Sequence, residues 1–386
     1  MNVGTLSTKS FGETGAVLAR NERGFSLIEV MVSLVITISM LGSVFLFLKR
    51  GQSSFRREYE VADMNATARA GIDRISQDLT HAGFNTPPEL AVLWSDGGEN
   101  TPDTISILYA HPDFPTSRPK PCGGQGGGQG QSKGKGGGGG GGGPCNTIGS
   151  SAVLNLDPYS FSPVPVSYED AYHEGLVLYA IQAPNGEPAC ENVSPGITAF
   201  EVTQPPKCTG AGGAGSGPEG CATLNVNHNP GKGTTELNLP GGFHNDVSVE
   251  CAVIGVFHIV QYRVNPLPPA TRPSLERRDL LQNEPWSPVS GNIEDLQFQY
   301  MQGSGGSFED VPAVPPTGSD PSTWVTAVRV EITGRSRSTN LEGATEVVYA
   351  AEGAYLRRTF ATTTALRNQL HHVWQKSDEL GVAGWN

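Results

Sequence analysis

Between Phe25 and Leu48 the only ionisable side chain is Glu29. An isolated carboxylate in a membrane-spanning helix costs roughly 2.5–3.5 kcal/mol on insertion scales, so it calls for a cation. The sequence offers one if the chain is cut between Gly24 and Phe25. The new α-amino group would be cationic and four positions from Glu29. In a packed array of such helices, the Glu29 carboxylate of one subunit can pair with the amine of its neighbour. Assembly alone then neutralises the buried charge.

The second chemically telling set is the cysteines: Cys122, Cys145, Cys190, Cys208, Cys221 and Cys251. Cys122 and Cys145 bracket a run with 15 Gly between residues 123 and 143, and Cys208 and Cys221 bracket a second, shorter Gly-rich run. Six Cys allow fifteen pairings. The bracketing favours 122–145 and 208–221, which leaves 190 with 251. A disulfide across a loop of ~15 residues is worth ~3 kcal/mol in the chain-entropy model, and a Gly-rich loop has much entropy to lose. Disulfides place the body outside the cytoplasm. A zinc site wants Cys-x-x-Cys pairs, and the chain has none.

Other patterns stop short of a site. Lys133 and Lys135 lie in the Gly run, but Gly134 and Gly136 follow them where a phosphate-binding loop needs Ser or Thr. Gly231-Lys232-Gly233 fails in the same way. No G-x-S-x-G occurs. His371-His372 sits in a C-terminal stretch with Leu370, Val373 and Trp374 and reads as tail. Asn65-Ala66-Thr67 and Asn192-Val193-Ser194 are short enough to arise by chance as glycosylation sequons. Glu309-Asp310 has no EF-hand loop around it. The expectation is therefore a chain that is no enzyme and uses no metal or cofactor. The formal net charge of −12 argues against a nucleic-acid partner.

These residues need elements to position them. Residues 25–48 form an apolar run long enough to cross a bilayer as a helix. It is too long for the apolar region of a secretory signal, and no small-residue cleavage site follows. Ser33, Thr37, Ser39 and Ser43 are tolerable there because short hydroxyls bond back to the helix. Helical spacing continues through residues 49–82: Phe55, Tyr59, Ala62 and Ala66 form one set, and Ile72, Ile75 and Leu79 another. Gly83 and Pro87-Pro88 supply the stop. The expected helix runs from Phe25 to Ala82, with its second half amphipathic and lying on a globular domain.

After Pro88 the pattern becomes strand-like. Expected strands are Thr104–Ala110, Ala152–Leu156, Gly175–Gln182, Ile197–Thr203, Cys251–Val264, Ile293–Met301, Trp324–Gly334 and Thr345–Ala351. In Thr326–Ile332, Val328, Val330 and Ile332 alternate with Ala327, Arg329 and Glu331, the period of a half-buried strand. Gly and Pro make up 79 residues, but without the strict triplet of collagen. The hydrophobic content of 37% excludes wholesale disorder. Helix first and strands after, without βαβ alternation, means α+β: an antiparallel sheet packed on the helix.

Arg23-Gly24-Phe25-Ser26-Leu27-Ile28-Glu29-Val30 resembles the prepilin processing site of type IV pilins and pseudopilins. The resemblance implies that prepilin peptidase cuts between Gly24 and Phe25 and methylates the Phe25 amine. It places residues 1–24 in the cytoplasm as a leader and the C-terminal domain in the periplasm. Arg20 and Arg23 agree with that orientation, whereas Lys49, Arg50, Arg56 and Arg57 oppose it. Asp78-Leu79-Thr80-His81-Ala82-Gly83-Phe84, Ile293–Tyr300, Val325–Ser336, Arg357–Phe360 and Thr362–Asn368 resemble segments of PilW-type minor pilins. The middle, 100–285, carries no such resemblance. The expected organisation is a leader (1–24), an apolar helix (25–48), its amphipathic continuation (49–84), a β-rich domain (85–368) with Gly-rich insertions at 122–145 and 208–221, and a tail (369–386).

What the resemblance implies is a minor pilin that primes or caps type IV pilus assembly and so supports adhesion, twitching motility or DNA uptake. Its partners would be other minor pilins, the major pilin, prepilin peptidase and the inner-membrane assembly platform. It would sit in the inner membrane before assembly and at the pilus surface afterwards. A minor pseudopilin of type II secretion and a pilus-tip adhesin are the alternatives.

Overall fold

The structure, a computed structural model, describes residues 24–98, 101–120, 153–183, 190, 193–209, 221–229, 237–238, 247, 249–265, 272–316, 320–339, 341 and 354–370. Most of the leader, Cys122, Cys145, the Gly run between them, the expected strand Thr345–Ala351 and residues 371–386 lie outside these.

The first element, α1 (Leu27–His81), is one helix of 55 residues. No Pro interrupts the chain between Phe25 and Thr86, so nothing breaks the i to i−4 ladder. The helix ends where Gly83 takes φ +76, a conformation glycine adopts at little cost, and the Gly83 N–H turns to the Leu108 carbonyl at 3.0 Å. The chain divides into two compact units, Met1–Arg57 and Glu58–Asn386. In the first, the described side chains are almost all exposed. The hydroxyls of Ser33, Thr37, Ser39 and Ser43 bond back to the carbonyls of Val30, Ser33, Val35 and Met40 at 2.7–2.9 Å.

The described strands are β1 (Val92–Ser95), β2 (Thr104–Ala110), β3 (Val153–Leu156), β4 (Val177–Gln182), β5 (Gly196–Glu201), β6 (Gln204–Thr209), β7 (Thr223–Asn227), β8 (Ala252–Gly255), β9 (Phe257–Val264), β10 (Ser274–Asp279), β11 (Ser287–Gly291), β12 (Ile293–Gln302), β13 (Val325–Thr339) and β14 (Tyr355–Ala365). The α+β class stands, with every described ladder antiparallel. Among the described residues the single expected sheet is four, ordered β1-β2-β9-β10-β11, β12-β13-β14, β3-β7-β6 and β5-β4-β8. The expected strand Cys251–Val264 is two: the chain leaves the ladder at Val256, whose carbonyl accepts from the His111 N–H at 2.8 Å, and β8 and β9 join different sheets.

The first core joins the C-terminal part of α1 to the first two sheets. Ala68, Ile72, Ile75 and Leu79 meet Ile105, Ile107, Val260, Tyr262, Leu275, Leu296, Phe298, Val328, Val330 and Ile332. The alternation read in Thr326–Ile332 holds for Val328, Val330 and Ile332, which are fully buried, while Arg329 and Glu331 are half-exposed.

A second core gathers Leu154, Leu156, Tyr172, Leu178, Phe200, Leu224, Val226 and Ile254, most of them from the β3-β7-β6 and β5-β4-β8 sheets. All of it lies between β2 and β9. These strands are direct neighbours, and their ladder closes at Ala110↔Phe257. Residues 111–256 are therefore one insertion at the end of a two-strand ladder, with its own core. Leu108, Ala110, Ile181 and Phe257 form a small apolar joint between the two cores.

Within the insertion the structure joins Cys190 to Cys251 and Cys208 to Cys221. The first ties the segment after β4 to the entry of β8. The second links β6 to the start of β7, two strands already paired along Cys208↔Leu224.

Candidate functional site

The candidate site is the N-terminal end of α1. Helical bonding begins where the Val30 N–H reaches the Ser26 carbonyl at 3.2 Å. Gly24, Phe25 and Ser26 precede the helix in non-helical backbone and are exposed. A protease needs its substrate peptide accessible and unpaired, and among the described residues the Gly24–Phe25 bond is exposed and lies outside the helix.

Glu29 stands in the first turn of α1, where a carboxylate also meets the positive end of the helix dipole. Its side chain is exposed, and among the described residues it makes no hydrogen bond or ion pair. Around it the apolar side chains are uncovered: Phe25 is 81% exposed, and Leu27, Ile28, Val30 and Met31 are each at least half exposed. A continuous apolar surface of this extent is not sustained in water. It is long and apolar enough to cross a membrane, and the same surface suits packing against other helices.

The other end of α1 is fixed to the body by charges. The Glu60 carboxylate is buried and takes the Arg337 N–H and the Ser338 hydroxyl, each at 2.7 Å. Arg337 Nε lies 2.9 Å from Asp63, and Arg358 donates to Asn65 at 3.2 Å. Ser290 donates to the Thr67 carbonyl at 2.6 Å. Gly71 allows the closest approach: a Cβ there would stand 3.0 Å from Leu275 and 3.4 Å from Ile332.

At the last turn, Asp78 Oδ2 accepts from Tyr262 at 2.5 Å and from Arg277 Nε at 2.9 Å. Burial, and then the Asp78 charge, push the Tyr262 phenol well above its ordinary range. The same two causes carry Tyr109 up to about 12.

This geometry corrects one expectation. Phe55, Tyr59, Ala62 and Ala66, read as one set at helical spacing, are all exposed. The buried face is Glu60, Met64, Ala68, Ile72, Ile75 and Leu79. The helical spacing drew attention to Phe55 and Tyr59, but Glu60 is satisfied by Arg337 and Ser338 of β13 and takes the inner position. Glu60 and Asp78 were missed as anchors. For Asp78 the signal was present: an acid near a helix C-terminus opposes the dipole and so needs a partner.

Asp78–Phe84 closes the helix, and β12, β13 and β14 form one sheet. Within that sheet, Glu294 of β12 forks to Arg357 of β14 at 2.5 and 3.0 Å, with Arg335 of β13 at 3.9 Å.

Residues 19–45 match the family model of the prokaryotic N-terminal methylation motif. The chain carries a prepilin-type N-terminus. The match spans the Gly24–Phe25 junction, Glu29 and most of the apolar run, and it supports a type IV pilin-like or pseudopilin protein. A prepilin-type N-terminus implies processing by prepilin peptidase and membrane association with pilus machinery, and the apolar helix fits inner-membrane anchoring. No curated protein and no solved structure matches the chain.

Proposed function

We propose that the chain is a PilW-type minor pilin, a low-abundance subunit that primes or caps type IV pilus assembly. The observation that carries this is the form of the N-terminus: an exposed Gly24–Phe25 junction just outside a helix that is wholly apolar for its first turns except at Glu29. Cleavage frees the Phe25 amine, and methylation leaves it basic. Glu29 of one subunit then pairs with that amine on a neighbour, which sets the register of the packed helices. The role is structural. The body is periplasmic before assembly and exposed on the pilus afterwards, and the 111–256 insertion presents a separately cored, disulfide-bonded module to whatever the pilus meets.

Deletion of the gene tests the reading. The expected result is loss or strong reduction of surface pili, restored by the full chain. Unchanged pili and motility would overturn it, and a secretion defect with normal pili would reassign the chain to the type II secretion pseudopilins.

A further inference from the structure

The 111–256 insertion joins the body through two chain segments, and a histidine stands at each. Ala110↔Phe257 is the last rung of the β2–β9 ladder. One residue further on, the His111 N–H donates to the Val256 carbonyl at 2.8 Å. His111 is thus the first residue of the insertion, and His258 is the second residue of β9. Their ring centres are 5.0 Å apart, with the planes 31° from parallel.

The two imidazoles are held differently. His258 Nδ1 lies 2.5 Å from Oδ2 of buried Asp279, whose Oδ1 takes the Leu281 N–H at 3.1 Å. A proton on His258 therefore faces a carboxylate that is fixed in place. His111 Nδ1 instead accepts the Asp113 N–H at 3.1 Å. A main-chain N–H can only donate, so this nitrogen keeps its lone pair and the His111 ring is neutral as it stands. A proton added there breaks the Asp113 bond and sets a second cation against His258. Other groups face the pair. The Asp113 carboxylate is 4.0 Å from His111 Nδ1 but 85% exposed, so solvent screens it. Tyr109 packs on His258 at 5.1 Å, and His81 of α1 packs on Tyr109 at 5.5 Å. Asp78, Arg277 and Arg74 act on Tyr109 from the body, and Glu284 accepts the Asp279 N–H at 3.3 Å. Phe114 meets His111 edge-on at 5.2 Å, with His173 beyond it at 6.4 Å. Burial, and then the charge of His258, hold the His111 imidazole below its ordinary value, with Asp113 pulling the other way.

We propose that the His111–His258 pair is an acid-sensitive latch at the neck of the insertion. With His111 neutral, the packed rings and the His111–Val256 bond keep the neck closed. Protonation of His111 removes the Asp113 bond and brings like charges together, so the neck opens. The insertion stays attached through the apolar joint, the Tyr179 hydroxyl on the Leu281 carbonyl at 2.6 Å, and the Asn85–Ser162 bonds at 2.9 and 3.2 Å. None of these groups titrates in mild acid. The insertion therefore keeps its fold and gains freedom at its base. Linkage fixes the direction. A histidine held below its free value stabilises the closed neck fully above about pH 6.5, and that stability is lost as the pH falls toward the lowered value.

The test uses the full chain in detergent micelles, with amide exchange read residue by residue as protection relative to a free amide. Protection at position 111 should be constant above about pH 6.5 and fall by up to roughly tenfold per pH unit below it. The midpoint should match the titration of the His111 ring followed by its own NMR signals. His111→Phe keeps a flat ring against His258 but takes no proton, and should abolish the fall. His111→Gln serves in its place if that variant does not fold. The Val202 N–H, bonded to the Leu176 carbonyl at 2.9 Å inside the insertion, should behave alike in the parent and the variant. His258→Gln removes the neighbouring cation and should raise the pH at which His111 titrates. No fall at position 111, a fall that the His111 variants retain, or a His111 titration that His258→Gln leaves unmoved would overturn the proposal. The assay needs no pilus, so its failure is distinct from failure of the proposed function.

Discussion

The carboxylate of Asp78, in the last turn of α1, lies 2.9 Å from Nε of Arg277 on β10. Both side chains are largely buried, at 5% and 17% exposure, and Tyr262 donates to the same carboxylate oxygen. Removing one member of a buried pair strands the other, a cost of about 3–5 kcal/mol. Asp78→Ala should therefore destabilise the body by that order in denaturant unfolding. Asp78→Asn keeps one acceptor oxygen and should cost less. Equal, small effects of both variants would show that the clamp is not structural.

The two described disulfides should differ in worth. Cys190–Cys251 closes a separation of 61 residues and Cys208–Cys221 one of 13. In the chain-entropy model these correspond to about 4 and about 3 kcal/mol. Unfolding of the Cys190→Ser/Cys251→Ser and Cys208→Ser/Cys221→Ser variants should rank them in that order. The reverse order would point to local strain or residual unfolded structure in place of loop entropy.

Buried His228, which packs on Phe200 at 5.4 Å between ring centres, gives the body an acid sensitivity. Burial lowers its pKa to about 4, against about 6.5 in an unfolded chain. Between those values the unfolded state binds more protons, so stability is full above about pH 6.5 and falls as the pH drops toward 4. The loss across the window is on the order of 3 kcal/mol at about 1.4 kcal/mol per unit. His228→Gln should flatten the stability profile between pH 6.5 and 4. A profile as steep as that of the parent would assign the acid sensitivity elsewhere.

Glu29→Ala removes the one charge from the apolar run. Membrane insertion should be retained or improved, because a cost of roughly 2.5–3.5 kcal/mol disappears, while incorporation into sheared pili should be lost. Normal incorporation of the variant would remove the pairing role assigned to Glu29.

The N-terminus was legible because its signals are local. A Gly-Phe junction and one acid sit within about two helical turns at the head of an apolar run, and helix physics reads each of them directly. The strand at Thr326–Ile332 was legible for the same reason, since the period of two is written in adjacent residues.

The insertion was not legible. Ala110 and Phe257 are ladder neighbours, yet no local pattern says that a chain leaving the sheet at one residue returns at the other. The two Gly-rich runs drew attention to loops, whereas the larger feature is the whole of 111–256 with its own core. Strands β6, β10 and β11 were missed because Pro205, Pro206 and Pro288 and the charged Glu276–Asp279 weaken the alternation. Pairing across the sheet overrides that local preference. On α1 the set Ile72, Ile75 and Leu79 is buried as read, whereas burial of Glu60 was not legible because it depends on Arg337 and Ser338, nearly 280 positions away.

The central claim, a prepilin-type subunit, is tested most directly by the mass of the N-terminal peptide of the protein recovered from its native membrane fraction. The account predicts a chain that begins at Phe25 with one methyl group on its α-amine and becomes a chain retaining residues 1–24 when the peptidase is removed. A mature chain that begins at any other residue, or a leader left intact in the presence of the peptidase, would contradict it.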